Sequence, residues 1–265
     1  MIEINNNLLA ALQHISRAAG SAIMEIYGET DFGVEHKDDD SPLTRADKAS
    51  NKVICEGLQK LTPDTPIISE ENSIPAYDIR KEYKEYWLID PLDGTKEFIK
   101  RNGDFTTNIA LIRKGKPTVG VVFAPVLDSM YYAAEGMGAH KSVNGADAVK
   151  LAAKTFDESQ EGLIITCSRS HLNEDTTDYI AQYNNPTLQK VGSSLKLMLV
   201  AEGSADIYPR LGPISEWDIA ASHVIVEQAG GKVYQHEDGQ AIPYNKENIL
   251  MPYFIAEGIR LSQSS

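Results

Sequence analysis

Residues 87–95 read Trp87-Leu88-Ile89-Asp90-Pro91-Leu92-Asp93-Gly94-Thr95. The apolar residues before Asp90 are typical of a buried strand, and Pro91, which lacks an N–H, predicts that the strand ends there. Asp93 follows three residues after Asp90, close enough for both carboxylates to face one site. Gly94 allows the backbone to approach a ligand closely, and Thr95 offers a hydroxyl and an N–H at the start of a helix. The stretch therefore predicts a binding site at the end of a strand.

The same stretch has a simpler interpretation. Asp, Pro and Gly are common in turns, where each serves the turn geometry itself. A single Asp-Gly pair would favour that interpretation. Two acids together with Pro91, Gly94 and Thr95, directly after an apolar strand, favour a binding site instead. Carboxylate oxygens are hard ligands of the kind that Mg²⁺ prefers.

Acidic residues stand at the ends of two further predicted elements. Glu70 and Glu71 follow the apolar run 66–69, and Asp218 stands in the first turn of a predicted helix. Taken singly, a Glu pair is usually solvated, and Asp218 would simply interact favourably with the helix dipole. Taken together, they indicate one acidic cleft, in which carboxylates raise one another's pKa unless cations neutralise them. Two divalent ions about 4 Å apart would do so and would hold a phosphate, so the sequence predicts a Mg²⁺-dependent phosphatase.

A covalent mechanism is the main alternative for an acidic motif of this kind. Haloacid-dehalogenase-type phosphatases carry Asp-x-Asp-Gly-Thr after a strand, with the first Asp as nucleophile. Here the spacing is Asp-x-x-Asp-Gly-Thr. The additional residue moves Asp93 relative to Asp90, and we therefore expect an activated water rather than an aspartyl-phosphate.

The remaining pattern predicts a mixed α/β (α+β) protein, with an antiparallel sheet in the first half and alternating strands and helices in the second. Residues 8–27 have apolar side chains three and four apart, typical of an amphipathic helix capped by Asn5 or Asn6. A second helix begins near Thr44, where Thr44-Arg45-Ala46-Asp47 has the form of a capping motif. Three β-rich runs between residues 105 and 134 are separated by short turns, which predicts an antiparallel sheet.

The later part of the chain alternates strands and helices, as α/β folds do. Helices are expected over 173–183, 193–202 and 218–228, and strands over 163–166, 205–208 and 232–234. Residues 35–42 are expected to be an exposed loop. We expect one compact unit of two halves: residues 1–145, with the antiparallel sheet and most metal ligands, and residues 146–265, which supply Asp218 and substrate contacts.

The composition restricts the partners. The chain has 265 residues, with 25 Lys and Arg against 38 Asp and Glu, and its net charge of −13 repels nucleic acid and anionic membranes. No run reaches the roughly 18 consecutive apolar residues of a membrane helix, and the N-terminus lacks a signal-peptide pattern. Cys55 and Cys167 lack the spacing of a metal site or a disulfide framework. We expect no nucleic-acid partner, no transmembrane segment and a cytoplasmic location.

These motifs resemble the inositol monophosphatase superfamily of lithium-sensitive, Mg²⁺-dependent phosphatases. The superfamily's Asp-Pro-(Ile/Leu)-Asp-Gly-Thr motif corresponds to residues 90–95, its Glu-Glu pair to 70–71, and its Trp-Asp helix ending in Gly-Gly to 217–231. The motif continues here as Lys-Glu-Phe rather than Thr-Asn-Phe, which is similar to the CysQ-type branch, the 3′(2′),5′-bisphosphate nucleotidases. Three further stretches are similar to the same branch, at 167–171, 192–196 and 201–210.

The resemblance implies a layered α/β/α/β/α sandwich of the inositol monophosphatase and fructose-1,6-bisphosphatase type. It implies removal of the 3′-phosphate from adenosine 3′,5′-bisphosphate, giving AMP and phosphate, in sulfur metabolism. The alternative within the family is an inositol or other small sugar-phosphate phosphatase, and a non-catalytic nucleotide sensor is a further one. The protein would be a monomer or homodimer, free in the cytoplasm or peripheral on the cytoplasmic face of the inner membrane.

The resemblance also implies a role for each acid. One Mg²⁺ would be held by Glu70, Asp90 and the backbone carbonyl of Leu92. A second would be held by Asp90, Asp93 and Asp218, and a third, weaker one would be reached by Glu70 through water. All five of these residues match the family motifs.

The expected catalytic residues are Glu70 and Thr95, which would orient the attacking water, and Asp47, which would be hydrogen-bonded behind Thr95. The capping motif remains a second explanation for Thr44. The expected substrate-binding residues are Glu70, Leu92, Asp93, Gly94, Thr95, Asp218, Ser193, Lys196 and Arg210.

The nucleotide contacts in that set have simpler alternatives. Ser193 would also serve as a helix cap, and Lys196 and Arg210 as solvated charges. His171 is as well explained by an ordinary surface histidine as by a nucleotide contact. Residues 211–216 depart from the Thr-x-x-Trp-Asp form of the family, which leaves the contacts to the leaving group open there.

Overall fold

The computed structural model describes residues 1–36, 42–169 and 172–261, and these ranges form seven α-helices and sixteen β-strands. The helices are α1 (Asn6–Tyr27), α2 (Arg45–Leu61), α3 (Tyr77–Arg80), α4 (Thr95–Ile99), α5 (Glu174–Ile180), α6 (Leu195–Ala201) and α7 (Glu216–Gln228). The strands are β1 (Glu35–His36), β2 (Pro42–Leu43), β3 (Ile67–Ser69), β4 (Glu85–Asp93), β5 (Thr106–Arg113), β6 (Lys116–Ala124), β7 (Ser129–Ala134), β8 (Gly138–Val143), β9 (Val149–Lys150), β10 (Thr155–Phe156), β11 (Ile164–Ser168), β12 (Thr187–Val191), β13 (Ile207–Arg210), β14 (Lys232–Gln235), β15 (Phe254–Glu257) and β16 (Ile259–Arg260). The predicted mixed α/β class is confirmed.

The earlier part of the chain builds a seven-stranded sheet in the order β3-β4-β5-β6-β7-β8-β9. All neighbouring strands are antiparallel except β3 and β4, which are parallel. The three predicted β-rich runs are β5, β6 and β7, joined by turns at 114–115 and 125–128. The antiparallel sheet is therefore confirmed, and β8 and β9 extend it beyond the residues that the pattern indicated.

A second, five-stranded sheet has the order β12-β11-β13-β15-β14. Its β12, β11 and β13 are parallel, whereas β13, β15 and β14 pair antiparallel. The strands expected near 163–166, 205–208 and 232–234 are β11, β13 and β14, and the three helices expected beside them are α5, α6 and α7. Strands β12 and β15 have no counterpart in the sequence-based expectation.

The two faces of the seven-stranded sheet carry different layers. On β5, Ile109 and Leu111 pack with α1 and α2, whereas Ala110 and Ile112 pack with α6 and α7, because successive side chains of a strand point to opposite faces. Helices α6 and α7 also contact the five-stranded sheet, and α5 packs against β13. The order is thus α/β/α/β/α, as the resemblance implied.

The first two helices begin where their capping residues predict. The Asn5 side chain accepts a hydrogen bond from the Leu8 N–H at 3.0 Å, which satisfies one of the free donors of the first turn of α1. Thr44 and Asp47 form a reciprocal capping box at the start of α2. Both predicted helices are confirmed.

The expected exposed loop at 35–42 is partly wrong. Glu35–His36 pairs antiparallel with Pro42–Leu43 as β1 and β2, so the segment begins and ends in a small sheet. Residues 37–41 lie outside the described residues. Cys55 and Cys167 are both free thiols, and none of the helices in the described ranges has the length and apolar composition needed to cross a membrane.

Helix α7 lies between the two sheets, and nearly every residue from Glu216 to Val226 is buried. It approaches β6 so closely that a Cβ at Gly120 would lie 2.1 Å from the backbone oxygen of Ala221. A glycine is therefore required at this crossing, since any side chain would push the helix away from the sheet.

Replacing Gly120 with alanine is expected to lower the free energy of unfolding by about 3 kcal/mol, the upper part of the range for overpacked cores. Urea unfolding followed by circular dichroism measures this change. Gly28→Ala is the matched control, because its Cβ would meet neighbouring atoms only at 3.5 Å and beyond. Equal stability of the two variants would contradict the close approach of α7 to β6.

Candidate active site

A cleft of about 330 Å³ opens where the two sheets and α7 come together. Its walls come from the end of β3, the end of β4, the loop before α6 and the first turn of α7. Both acidic and basic side chains line it. The acids are Glu70, Asp90, Asp93, Glu97 and Asp218, and the bases are Lys96, Lys196 and Arg210.

Three of the acids form a compact group. Glu70 follows β3, Asp90 lies in β4, and Asp218 stands in the first turn of α7. Each offers a carboxylate oxygen within 4.8 Å of the others. Asp93 lines the same cleft beside this group. The structure thus brings together all the acids that the sequence indicated as cation ligands, from three separate elements.

The path of β4 explains how Asp90 and Asp93 share the cleft. Pro91 does not end the strand, and that prediction was wrong: β4 continues to Asp93. Asp90 lies opposite Asn108 of β5 and Asp93 lies opposite Thr106, so three steps on β4 match two on β5, which is a β-bulge. Residues three apart in a regular strand point to opposite faces, whereas the additional residue brings both carboxylates to one side. A bulge also tolerates a proline, because it interrupts the hydrogen-bond ladder.

Asp90 is the least solvated acid of the group, with 1 % of its surface exposed. Its Oδ1 accepts a hydrogen bond from the Leu92 N–H at 3.1 Å, while Oδ2 is buried without a hydrogen-bond partner among the described residues. Burial, followed by the charges of Glu70, Asp93 and Asp218, raises the pKa of Asp90 well above its ordinary value. Burial, followed by the charges of Asp93 and Glu70, raises the pKa of Asp218 to about 8.

These properties fit a divalent cation. Buried carboxylates that repel one another are costly unless an opposite charge lies between them. The unpaired Oδ2 of Asp90 and the oxygens of Glu70 and Asp218 are hard donors, which suit Mg²⁺ better than a soft metal. These oxygen donors therefore fit Mg²⁺, the cation that the sequence indicated.

Thr95 lies at the start of α4, with its hydroxyl hydrogen-bonded inside the protein. The hydroxyl lies 3.0 Å from Oδ1 of Asp47 and 3.3 Å from the Leu92 carbonyl oxygen, both of which can only accept its proton. The other oxygen of Asp47 accepts hydrogen bonds from the N–H and the hydroxyl of Thr44, at 2.7 and 2.6 Å. Asp47 therefore caps α2 and also fixes the direction of the Thr95 hydroxyl.

Gly94 precedes α4 with φ of 96°, in the left-handed region. A Cβ at this position would lie 2.9 Å from the backbone oxygen of Asp104. Both the conformation and the close contact require glycine. Gly94 and Thr95 both line the cleft.

The basic residues of the cleft are more buried than the solvated surface charges that the simpler alternative assumed. Lys196 has only 7 % of its surface exposed, donates a hydrogen bond to the Ser193 carbonyl at 2.6 Å, and lies 5.5 Å from the ring centre of Tyr208. Burial lowers the pKa of its ammonium to about 8. The interpretation of Lys196 as a solvated charge was therefore wrong. Arg210, beside it, is half-buried and donates to the Pro213 carbonyl at 2.9 Å.

The structure also decides the alternative for Ser193 in the neighbouring loop. Ser193 does not cap α6; Ser194 occupies the cap position, and Ser193 has φ of 46°. Within the departure at 211–216, Pro213 and Ile214 line the cleft, and the Ser215 N–H donates to Oδ2 of Asp218 at 2.6 Å. His171 lies outside the described residues.

Asn108 and Ser194 were not among the predicted site residues. Both are buried, and both hydrogen-bond around Asp93. A polar side chain inside the otherwise apolar run of β5 was the available signal for Asn108, since buried polar groups need partners. For Ser194 the available signal was the stretch 192–196, which is similar to the CysQ-type branch.

Comparison with known proteins places this geometry in a family. The sequence model of the inositol monophosphatase family matches residues 5–260. The chain is 46% identical over 255 residues to the 3′(2′),5′-bisphosphate nucleotidase CysQ of Salmonella typhimurium, covering 93% of this chain and 98% of that protein. It is 44% identical to the CysQ of Escherichia coli K12, with the same coverage. The crystal structure of CysQ from Bacteroides thetaiotaomicron superposes with a TM-score of 0.83 at 39% identity, covering 95% of this chain and 97% of that one.

Proposed function

The chain belongs to the inositol monophosphatase family, and from that premise we propose that it is a 3′(2′),5′-bisphosphate nucleotidase. It would hydrolyse the 3′-phosphate of adenosine 3′,5′-bisphosphate to AMP and phosphate. The identity of 44–46% to CysQ proteins over nearly the whole chain supports this substrate.

One observation carries the proposal: a buried lysine lies in the same cleft as the acidic group. The acids suit the cations that would hold the scissile phosphate, whereas Lys196 and Arg210 suit a second anionic group. Adenosine 3′,5′-bisphosphate has such a group in its 5′-phosphate. An inositol monophosphate has none, so it would leave the buried ammonium of Lys196 with only the carboxylates of the cleft to balance its charge.

Mg²⁺ is the cation that we propose for the acidic group. Glu70, Asp90 and the Leu92 carbonyl would hold one ion, Asp90, Asp93 and Asp218 a second, and Glu70 would reach a third through water. When bound, such ions lower the pKa of water and neutralise the charge of the phosphate. Lithium sensitivity and a role in sulfur metabolism, both implied by the family resemblance, belong to the same proposal.

The chain's own side chains would orient the reacting groups. Because the Thr95 hydroxyl directs its proton to Asp47 or to the Leu92 carbonyl, its lone pairs remain for a hydrogen bond from the attacking water. Glu70 would accept a second hydrogen bond from that water. The backbone at Gly94 and Thr95, which line the cleft, would contact the phosphate. Ser193, Lys196 and Arg210 would hold the nucleotide's other phosphate in register.

Phosphate release under Mg²⁺ tests the proposal, with adenosine 3′,5′-bisphosphate and inositol 1-phosphate compared at equal concentration. We expect fast release from the nucleotide and little from the inositol phosphate. The reverse preference would overturn the substrate and keep the phosphatase. Release from neither, with nucleotide binding detected by calorimetry, would favour a sensor.

The proposal places the reaction in the cytoplasm, free or at the inner face of the membrane. The two thiols, Cys55 and Cys167, are unpaired, as in a reducing compartment. Fractionation of cells into soluble and membrane parts, followed by the nucleotidase assay, tests this location.

A further inference from the structure

A chain of buried polar side chains lies behind Asp93. Thr106 and Asn108 come from β5, and Ser194 comes from the cap position of α6. Each has at most 1 % of its surface exposed. This row of polar side chains therefore crosses from the seven-stranded sheet to the helical layer inside the protein.

The direction of each hydrogen bond in this chain follows from the groups present. The Thr106 hydroxyl donates to the Asn108 amide oxygen at 3.0 Å, so the amide nitrogen faces the other way. That nitrogen donates to the Ser194 hydroxyl oxygen at 2.9 Å and lies 3.4 Å from Oδ2 of Asp93. With its oxygen receiving the amide proton, Ser194 directs its own proton to acceptors on the far side.

Those acceptors belong to two of the acids of the cleft. The Ser194 hydroxyl lies 2.8 Å from Oδ2 of Asp93 and 2.9 Å from the backbone carbonyl oxygen of Asp218. One hydroxyl thus contacts an acid carried by β4 and an acid carried by α7. The donors from Ser194 and Asn108 also reach the same oxygen of Asp93, which fixes the rotation of that carboxylate.

We propose that Ser194, oriented by Asn108, is a positioning residue that sets the distance between Asp93 and Asp218 across the boundary between the seven-stranded sheet and the helical layer. The inference rests on the proposed function, because these two acids would share one Mg²⁺ there. Partners that orient metal ligands through hydrogen bonds typically affect metal affinity by about 10–100-fold. Ser194 fulfils this role for two ligands at once, through the carboxylate of Asp93 and the backbone carbonyl of Asp218.

Isothermal titration of the metal-free protein with Mg²⁺, without substrate, tests the inference. We expect Ser194→Ala to raise the Mg²⁺ dissociation constant by about 10–100-fold with an unchanged circular dichroism spectrum. Ser194→Thr, which keeps the hydroxyl, should bind Mg²⁺ nearly as the wild type does. Ser222→Ala is the matched control: Ser222 is a buried serine of α7 whose hydroxyl donates to the Ile219 carbonyl, away from the cleft.

A double variant separates positioning from general loosening of the fold. If Asn108 acts through Ser194, then Asn108→Ala combined with Ser194→Ala should weaken Mg²⁺ binding little more than Ser194→Ala alone. Additive losses, or wild-type Mg²⁺ affinity in Ser194→Ala, would overturn the inference. A wild type that binds no Mg²⁺ would overturn it together with the proposed cofactor. A wild type that binds Mg²⁺ but does not hydrolyse adenosine 3′,5′-bisphosphate would overturn the proposed substrate alone.

Discussion

Replacing Asp90 with asparagine is expected to lower kcat by about 10³-fold or more while making the metal-free protein more stable. The loss of activity follows because Asp90 is the acid that both proposed Mg²⁺ sites share, and cations of this kind contribute several kcal/mol to the transition state. The gain in stability follows because Asp90 is buried with an unpaired Oδ2 beside other carboxylates. Relieving such a group is worth about 1–3 kcal/mol.

Two measurements check this result. Steady-state phosphate release gives kcat, and thermal unfolding in chelator gives the stability, where each kcal/mol should raise the melting temperature by about 2–4 °C. Added Mg²⁺ should stabilise the wild type and leave Asp90→Asn unchanged, because only the wild type retains the ligand.

Asp206 provides the matched control for Asp90. It is also a fully buried aspartate, but Lys154 lies 2.8 Å from its Oδ1 and the Ile164 N–H donates to Oδ2 at 2.8 Å. Asp206→Asn should therefore lower the stability and leave kcat near normal. Loss of stability in both variants would contradict the inference that the unpaired Asp90 carboxylate destabilises the metal-free protein.

Replacing Lys196 with methionine is expected to lower kcat/KM for adenosine 3′,5′-bisphosphate by about 10²-fold. A hydrogen bond to a charged group contributes about 1.5–3 kcal/mol, and each 1.4 kcal/mol is a factor of ten. Adenosine 3′-monophosphate lacks the 5′-phosphate, so its kcat/KM should change by less than about threefold. The ratio of the two substrates therefore reports the contact that we propose.

The pH dependence gives the same contact a second signature. Burial lowers the pKa of Lys196 to about 8, so the ammonium is charged below this pH and neutral above it. The kcat/KM for the bisphosphate should consequently fall as the pH rises through 8, relative to that for the monophosphate. In Lys196→Met the ratio should no longer depend on pH in this range.

Lys141 is the control for Lys196, because it is a half-buried lysine that also lies over a tyrosine ring, 4.9 Å from the centre of Tyr131, and it lies away from the cleft. Lys141→Met should leave the substrate ratio unchanged. If Lys196→Met lowers kcat/KM equally for both substrates, then Lys196 acts on the acidic group and not on a second phosphate.

Most of the fold could be predicted because its signals are local. The period of α1, the caps at Asn5 and Thr44, and the turns between β5, β6 and β7 each lie within a few residues. Two of the missed strands, β9 and β12, have weak local signals because they are short or polar edge strands. Strand β15 was missed although it is buried and lies inside its sheet. The end of β4 was misjudged because the bulge at Pro91 depends on pairing with β5, which one strand's sequence does not contain.

The candidate site divides along the same line. Each acid could be found at the end of its own element, because the motif and the apolar residues before it are contiguous. The contacts between elements could not be predicted. Ser194 and Asp93 are 101 residues apart, and the sequence of neither segment indicates that the two lie in contact. The burial of Lys196 was equally hidden, since a lysine in a sequence is by default solvated.

The position of α7 between the sheets has a consequence for folding during synthesis on the ribosome. Glu70 and Asp90 leave the exit tunnel early, on an antiparallel sheet that needs only the first part of the chain. Asp218 follows much later, and its helix packs with residues of β14 and β15, which are synthesised after it. Because chains emerge from the N-terminus onward, a nascent or truncated polypeptide has an incomplete set of acids. We therefore expect phosphatase activity only after Asp218 and the strands around α7 have been synthesised, because a shorter chain lacks part of the proposed magnesium site.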